Sequence, residues 1–190
     1  MSNDDREASS EMLARLLATL SYKYGVFRLA SGRESDFYVD VKQTVFHAEG
    51  ARLVGELLCD RLVRHGITLV GGMAVGAVPL VSVALVAAAR RGYPLDGFFV
   101  RKDVKDHGTA RRLDGRFRSD AKIALLEDVV TTGASTLAAI DAVEAAGATV
   151  ALVVTVVDRE ENEGVQSLSA RGAIVESLTT RSEIVAAAAM

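Results

Sequence analysis

The chain has 190 residues, of which 49% are hydrophobic and 25% charged, with a formal net charge of -3. That length suits one domain with room for its own core, and the apolar content excludes a disordered chain. The slightly acidic balance excludes a general nucleic-acid binder, and a single cysteine, Cys59, excludes both an internal disulfide and a cysteine-held zinc.

The start, "MSNDDREASSEM", is polar and acidic, unlike a signal or transit peptide. The longest apolar runs, such as Ala148 to Val157, are too short to span a bilayer as a helix. A soluble cytoplasmic protein without nucleic-acid or membrane partners is therefore expected. Residues 7 to 22 carry Met12, Leu13, Leu16, Leu17 and Leu20 at helical spacing, with Ser9 or Ser10 as the expected cap. Residues 26 to 46 hold β-branched and aromatic residues around Ser31-Gly32, which predicts a small hairpin. Helical spacing returns over 48 to 65, with Cys59 as a small buried residue.

An alternation follows. Ile67 to Val70 predicts a strand ending at Gly71-Gly72, and Ala77 to Arg91 a helix with Pro79 in its first turn. Gly97 to Val100 predicts a strand, and a charged segment runs from Arg101 to Arg118. Ile123 to Leu126 predicts a strand, and Ser135 to Ala146 a helix closed by Gly147. Thr149 to Val157 is a nearly continuous β-branched run, the mark of a strand buried on both faces. A strand at Ala173 to Val175 and a helix from about Thr180 complete the chain. The repetition predicts an α/β fold, a parallel sheet flanked by helices. Residues 1 to 47 read as a small N-terminal helix-and-hairpin lobe on a core of residues 48 to 190.

Ligands bind beyond the carboxyl ends of parallel strands. Three such ends carry unusual chemistry: Gly71 to Gly76, Arg101 to Gly115, and Glu127 to Ser135. In "IALLEDVVTTGAST", the residues Thr131, Thr132, Gly133, Ala134 and Ser135 stand between a strand and a helix N-terminus. Unpaired backbone N–H groups, hydroxyls and a glycine there make an anion cradle suited to phosphate. It is neither a Walker loop, since no Gly-Lys-Ser/Thr triplet exists, nor a dinucleotide fingerprint, since no Gly-x-Gly exists. Glu127 and Asp128 directly precede it and can accept hydrogen bonds from vicinal hydroxyls. Phosphate and diol together describe a ribose 5-phosphate; the competing reading is a capped helix with two solvated acids.

Residues 101 to 118 hold seven basic residues against three acids. Such a segment is either a solvated loop or an active-site lid whose cations neutralise a departing anion. His47 and His65 lack metal-ligand spacing.

The stretch from Ile123 to Thr136 resembles the phosphoribosyl pyrophosphate (PRPP) signature of the type I phosphoribosyltransferases. By that resemblance Glu127 and Asp128 hold the ribose hydroxyls, and Thr131 to Ser135 bind the 5-phosphate. The order Arg-Lys-x-x-Lys-Asp-His-Gly from Arg101 resembles the catalytic loop of the orotate phosphoribosyltransferases. The resemblance implies that Arg101, Lys102, Lys105 and His107 contact pyrophosphate, with Asp128 also catalytic. It implies a homodimer whose loop is shared across subunits. "FRLASGRESDFYVDVK" resembles that family's hairpin hood over the base, and Arg159 in "VVDREE" its orotate-binding arginine, with Thr131 beside the base. "GGMAVG" resembles its pyrophosphate loop, in which Ala74, Val75 and Gly76 offer backbone contacts.

Ala30 stands where some members carry a lysine, so that work would pass to Arg28, Lys42 or a loop residue. Mg²⁺ is the implied cofactor, held mainly by PRPP, pyrophosphate and water, without direct side-chain ligation. The alternatives are transfer to another nucleobase, or a non-catalytic PRPP sensor. Arg159 and the basic loop argue against the first; a sensor would often carry a DNA-binding domain, for which room is not expected here, and the basic loop counts against it too.

Overall fold

A computed structural model describes residues 3–28, 34–102, 112–161 and 163–189. Ala30, the Ser31-Gly32 turn, Lys105 and His107 lie outside them.

Helix α1 (Asn3–Leu20) leads into a hairpin of β1 (Tyr22–Arg28) and β2 (Glu34–Val39), which pair antiparallel as a separate two-stranded sheet. Ser9 and Ser10 lie inside α1 rather than capping it. No Gly or Pro interrupts the preceding residues, and Asp4 and Asp5 favour the first turn through the helix dipole. The hairpin ends sooner than its β-branched composition predicts. Asp40 accepts a hydrogen bond from the Lys42 N–H at 3.3 Å and caps a short helix, α2 (Val41–Val45). Helix α3 (Ala48–Arg64) follows.

The core alternates β3 (Leu69–Gly71), α4 (Ala77–Arg90), β4 (Asp96–Val100), β5 (Leu113–Gly115), β6 (Ile123–Val130), α5 (Ala134–Ala145), β7 (Val150–Asp158), α6 (Gly164–Ser169), β8 (Ile174–Thr180) and α7 (Arg181–Ala188). The sheet order is β5-β4-β3-β6-β7-β8, parallel except for β5, which runs antiparallel to β4. Neither β5 nor α6 is announced by apolar periodicity in the sequence. The strand β8 runs to Thr180, beyond the apolar Ala173 to Val175, because β7 supplies pairing partners along its whole length.

Alternating residues of β6 serve the two sides of the sheet. Ala124 and Leu126 pack into a core built from α1 to α4 and α7, including Leu13, Leu17, Val54, Leu58, Leu80 and Ile184. Ile123 and Leu125 pack into a second core with Ile140 and Val143 of α5 and Leu168 of α6. Leu125 and Leu126 are fully buried, each contributing about 1.5–3 kcal/mol by leaving water. Two packed faces hold β6 in place and with it the polar residues at its end. Cys59 is buried beside Ala87 and Ala88, where burial pushes its thiol pKa up. Among the described residues no helix is long and apolar enough to cross a membrane.

Candidate active site

The order of the sheet reverses between β3 and β6, the kind of position at which open parallel sheets bind ligands. Residues Gly72 to Gly76 leave β3, and Glu127 to Gly133 close β6. The first loop is tied to β4: the Ala74 N–H donates to the Val100 carbonyl at 2.8 Å, and the Val100 N–H to the Gly72 carbonyl at 2.8 Å. The Ala74–Val75 peptide bond is cis, and Val75 is largely exposed. Gly76 begins α4 against the acid pair, with a Cβ there falling 3.0 Å from both oxygens of Asp128.

The acids belong to the strand and not to the loop after it, since β6 pairs with β7 as far as Val130 and Asp158. Being neighbours in a strand, they point to opposite faces. Glu127 is buried, and its Oε2 accepts hydrogen bonds from Ser135 Oγ at 2.7 Å and Thr136 Oγ1 at 2.6 Å. Burial, with Asp128 beside it, raises the Glu127 pKa from 4.5 to about 7. Asp128 is partly exposed, and its Oδ1 accepts from the Val129 N–H at 3.0 Å.

Gly133 caps α5 with φ +76°, a left-handed conformation that suits glycine. Thr132 Oγ1 accepts from the Ala134 N–H at 3.4 Å. Ser135, expected among the phosphate donors, has its hydroxyl engaged by Glu127, which leaves its backbone N–H for an anion. Thr136 is a residue that the sequence reading missed: it lies one position past the loop, and nothing local marks it as a partner of Glu127.

At the end of β4, Arg101 pairs with Asp114 of β5 and lies 5.4 Å from the Phe99 ring centroid. Its N–H donates to the Arg112 carbonyl at 2.8 Å, so the root of the charged segment is closed by backbone pairing. Lys102 is exposed. Two of the seven basic residues are not near this end. Arg116 and Arg118 reach Asp96, at the opposite end of β4, at 2.7 Å and 2.6 Å. The folding back of β5 carries them there.

Arg159 follows β7 directly, and its N–H donates to the Val130 carbonyl at 3.1 Å, which sets it level with the end of β6. It is only 6% exposed, although two acids follow it directly in the chain. Its Nη2 donates to the Phe37 carbonyl at 3.2 Å and to Glu161 Oε1 at 3.2 Å, and the guanidinium lies 5.5 Å from the Phe37 ring centroid. The hairpin thereby reaches the end of the sheet. Lys42 is held at 2.7 Å by Asp40, and its pKa is raised by that bond first, with a smaller contribution from Asp128.

Among the described residues no group of three or more His, Cys, Asp or Glu could hold a metal ion. Glu127 Oε2 already accepts from two hydroxyls, and Asp128 is the more open of the two acids.

No protein-family model matches the chain. A solved phosphoribosyltransferase from Corynebacterium diphtheriae superposes with a TM-score of 0.82 and 31% identity, covering 94% of this chain and 99% of that one. The fold and the strand-end acid pair thus define a type I phosphoribosyltransferase. A Mycobacterium tuberculosis orotate phosphoribosyltransferase, solved in complex with PRPP, superposes with a TM-score of 0.79 and 30% identity over 93% of this chain and 99% of that one. An orotate phosphoribosyltransferase of Rhodopseudomonas palustris (strain TIE-1) is 38% identical over 182 residues, 94% of this chain and 97% of the relative. The chain belongs to the orotate phosphoribosyltransferase family.

Proposed function

We propose that the protein transfers the 5-phosphoribosyl group of PRPP to N1 of orotate, giving orotidine 5′-phosphate and pyrophosphate, in pyrimidine biosynthesis in the cytoplasm. The C1′–N1 bond forms as the bond from C1′ to the pyrophosphate oxygen breaks, and the proton of orotate N1 is given up to the departing pyrophosphate. One observation carries this reading. The Glu127–Asp128 pair, the open N-terminus of α5 and the buried Arg159 meet at the ends of two adjacent strands.

Glu127 and Asp128 accept from the ribose hydroxyls, Asp128 being the more open of the two. The backbone N–H groups of Thr131 to Ser135 and the dipole of α5 hold the 5-phosphate. Ala74, Val75 and Gly76 offer backbone contacts to pyrophosphate. Arg159 meets the orotate carboxylate with its planar fork, and Thr131 lies beside the base. No covalent nucleophile is needed. Positive charge develops at the sugar as pyrophosphate leaves, and Asp128 stabilises it electrostatically. Arg101, Lys102, Lys105 and His107 stabilise the leaving group and exclude water. When bound with PRPP, Mg²⁺ would supply charge neutralisation on the pyrophosphate. A homodimer shares the basic loop between subunits, and the exposed Phe46, Val75 and Val86 are apolar surface available to a second copy.

The test is a spectrophotometric assay of orotate consumption with PRPP and Mg²⁺, omitting each component in turn. Loss of orotate absorbance only in the complete mixture supports the reading. With folded protein and no loss, the acceptor is wrong, and other nucleobases are tried against the same PRPP site.

A further inference from the structure

Arg159 does not wait for substrate with an empty fork. Its Nη2 lies 3.2 Å from Glu161 Oε1, and the same oxygen lies 2.9 Å from Arg181 Nη1. Arg181 Nη2 in turn holds Asp36 Oδ1 of the hairpin at 2.8 Å. The chain Arg159–Glu161–Arg181–Asp36 runs from the buried end of the site outward, with side-chain exposures of 7%, 23%, 30% and 61%. Both guanidiniums lie against one ring, at 5.5 Å and 5.3 Å from the Phe37 centroid.

We infer that Glu161 and Arg181 form a carboxylate-exchange latch on the base site. Glu161 occupies Arg159 until a substrate carboxylate replaces it, and Arg181 retains Glu161 afterwards. The inference rests on the reading of Arg159 as the carboxylate-binding residue and adds two residues with opposite roles to it.

Three features support exchange over a fixed ion pair. A buried guanidinium without a counter-charge is costly, so an empty site needs an internal anion. Glu161 can leave Arg159 without losing its other cation, because one oxygen already accepts from both. Arg159 keeps its orientation when Glu161 leaves, through the Phe37 carbonyl at 3.2 Å. The charges agree. Two guanidiniums balance two carboxylates before binding, and an added substrate carboxylate leaves one negative charge in excess. Without Arg181 the excess would be two.

The turn that carries Glu161 is pinned to the start of α7. The Glu160 N–H donates to Asp158 Oδ1 at 2.8 Å, and Glu160 Oε2 accepts from the Ser182 N–H at 2.9 Å and Oγ at 2.6 Å. Glu161 and Arg181 therefore stay adjacent while the occupant of Arg159 changes. An internal anion that must be displaced lowers the apparent affinity by the fraction of sites it leaves open. Such a cost falls on carboxylated bases and spares bases that lack the group.

The test is steady-state kinetics of Arg181→Gln, Glu161→Gln and the double variant, with the PRPP KM as internal reference. Arg181→Gln is expected to raise the orotate KM roughly three- to tenfold, with partial recovery in Arg181→Lys. Glu161→Gln is expected to lower it, and to bring the double variant below Arg181→Gln alone. Inhibition by uracil, which has no carboxylate, should not change. If Glu161→Gln instead raises the orotate KM as Arg181→Gln does, Glu161 merely positions Arg159 and the latch is overturned. Equal movement of the PRPP and orotate KM would overturn it too, since that marks a structural role. A separate variant, Arg159→Gln, tests the underlying reading: an unchanged orotate KM there removes Arg159 from the site independently.

Discussion

Gly76 and Asp128 meet across the switch point of the sheet, with room for a β-carbon only if the carboxylate gives way by a few tenths of an ångström. A Cβ at position 76 would stand 3.0 Å from Cγ and from both oxygens of the Asp128 carboxylate. The backbone of Gly76 is ordinary right-handed helix, with φ -56° and ψ -42°, so glycine is needed here for space and not for conformation. Gly76→Ala should displace Asp128 by a few tenths of an ångström while leaving the fold intact. The expected result is a PRPP KM raised about tenfold or more, the scale on which small misplacements act, with a melting temperature near wild type. Parallel kinetics and thermal unfolding check both halves.

Thr136 is 2% exposed and donates to Glu127 at 2.6 Å. Thr136→Val keeps the shape and removes the hydroxyl, leaving the buried carboxyl group with one donor fewer. A stability loss of about 1–3 kcal/mol is expected in urea unfolding, together with weaker PRPP binding. Thr136→Ser should recover most of both. Loss of stability without any change in PRPP binding would place Glu127 outside the sugar site.

The raised pKa of Glu127, about 7 against an ordinary 4.5, has a definite sign. Between those values the folded protein keeps a proton that the unfolded chain has released. Unfolding free energy from this group therefore falls as pH rises from about 4.5 to about 7 and is level above that. On the proposed reading, in which ribose hydroxyls donate to the charged acid pair, PRPP binding should expel the proton and tighten as pH rises through about 7. Titration calorimetry between pH 6 and 8 in buffers of different ionisation enthalpy, about one unit either side of that value, reads the proton directly. Glu127→Gln should lose this part of the pH dependence; the same slope in both proteins would assign the proton elsewhere.

Lys105 lies outside the described residues, and its role follows from the family resemblance alone. Lys105→Ala should lower turnover by roughly 10²- to 10³-fold, as loss of one group facing developing charge does, with an unchanged circular dichroism spectrum. Unchanged turnover would remove the lid.

On the proposed reading, in which Mg²⁺ travels with PRPP, chelation should abolish turnover reversibly without lowering the melting temperature of the PRPP-free protein. A metal-dependent melting temperature in the absence of PRPP would reveal a protein-held site.

Much of this site is written in adjacent residues. Glu127, Asp128 and the Thr131 to Ser135 loop sit at one strand end because an apolar run, two acids and a glycine-broken hydroxyl loop occur in that order. Backbone periodicity alone puts such a sequence at the edge of a buried sheet. The start of α4 with Pro79 in its first turn, and Gly147 after α5, are local in the same way. What packing decided involves groups far apart in the chain. The Phe37 carbonyl meets Arg159 across 122 positions, and Asp36 meets Arg181 across 145. A sequence window sees Arg159 only beside Glu160 and Glu161, and so cannot tell a solvated arginine from a buried one. The direction of β5 was equally hidden, and it moved Arg116 and Arg118 from the expected lid to the far end of β4. Local chemistry follows chain order because neighbours have no choice but to be close. Burial, shared counter-ions and the partner of each charge depend on which strands lie side by side, and that is settled only when the whole sheet closes on its two cores.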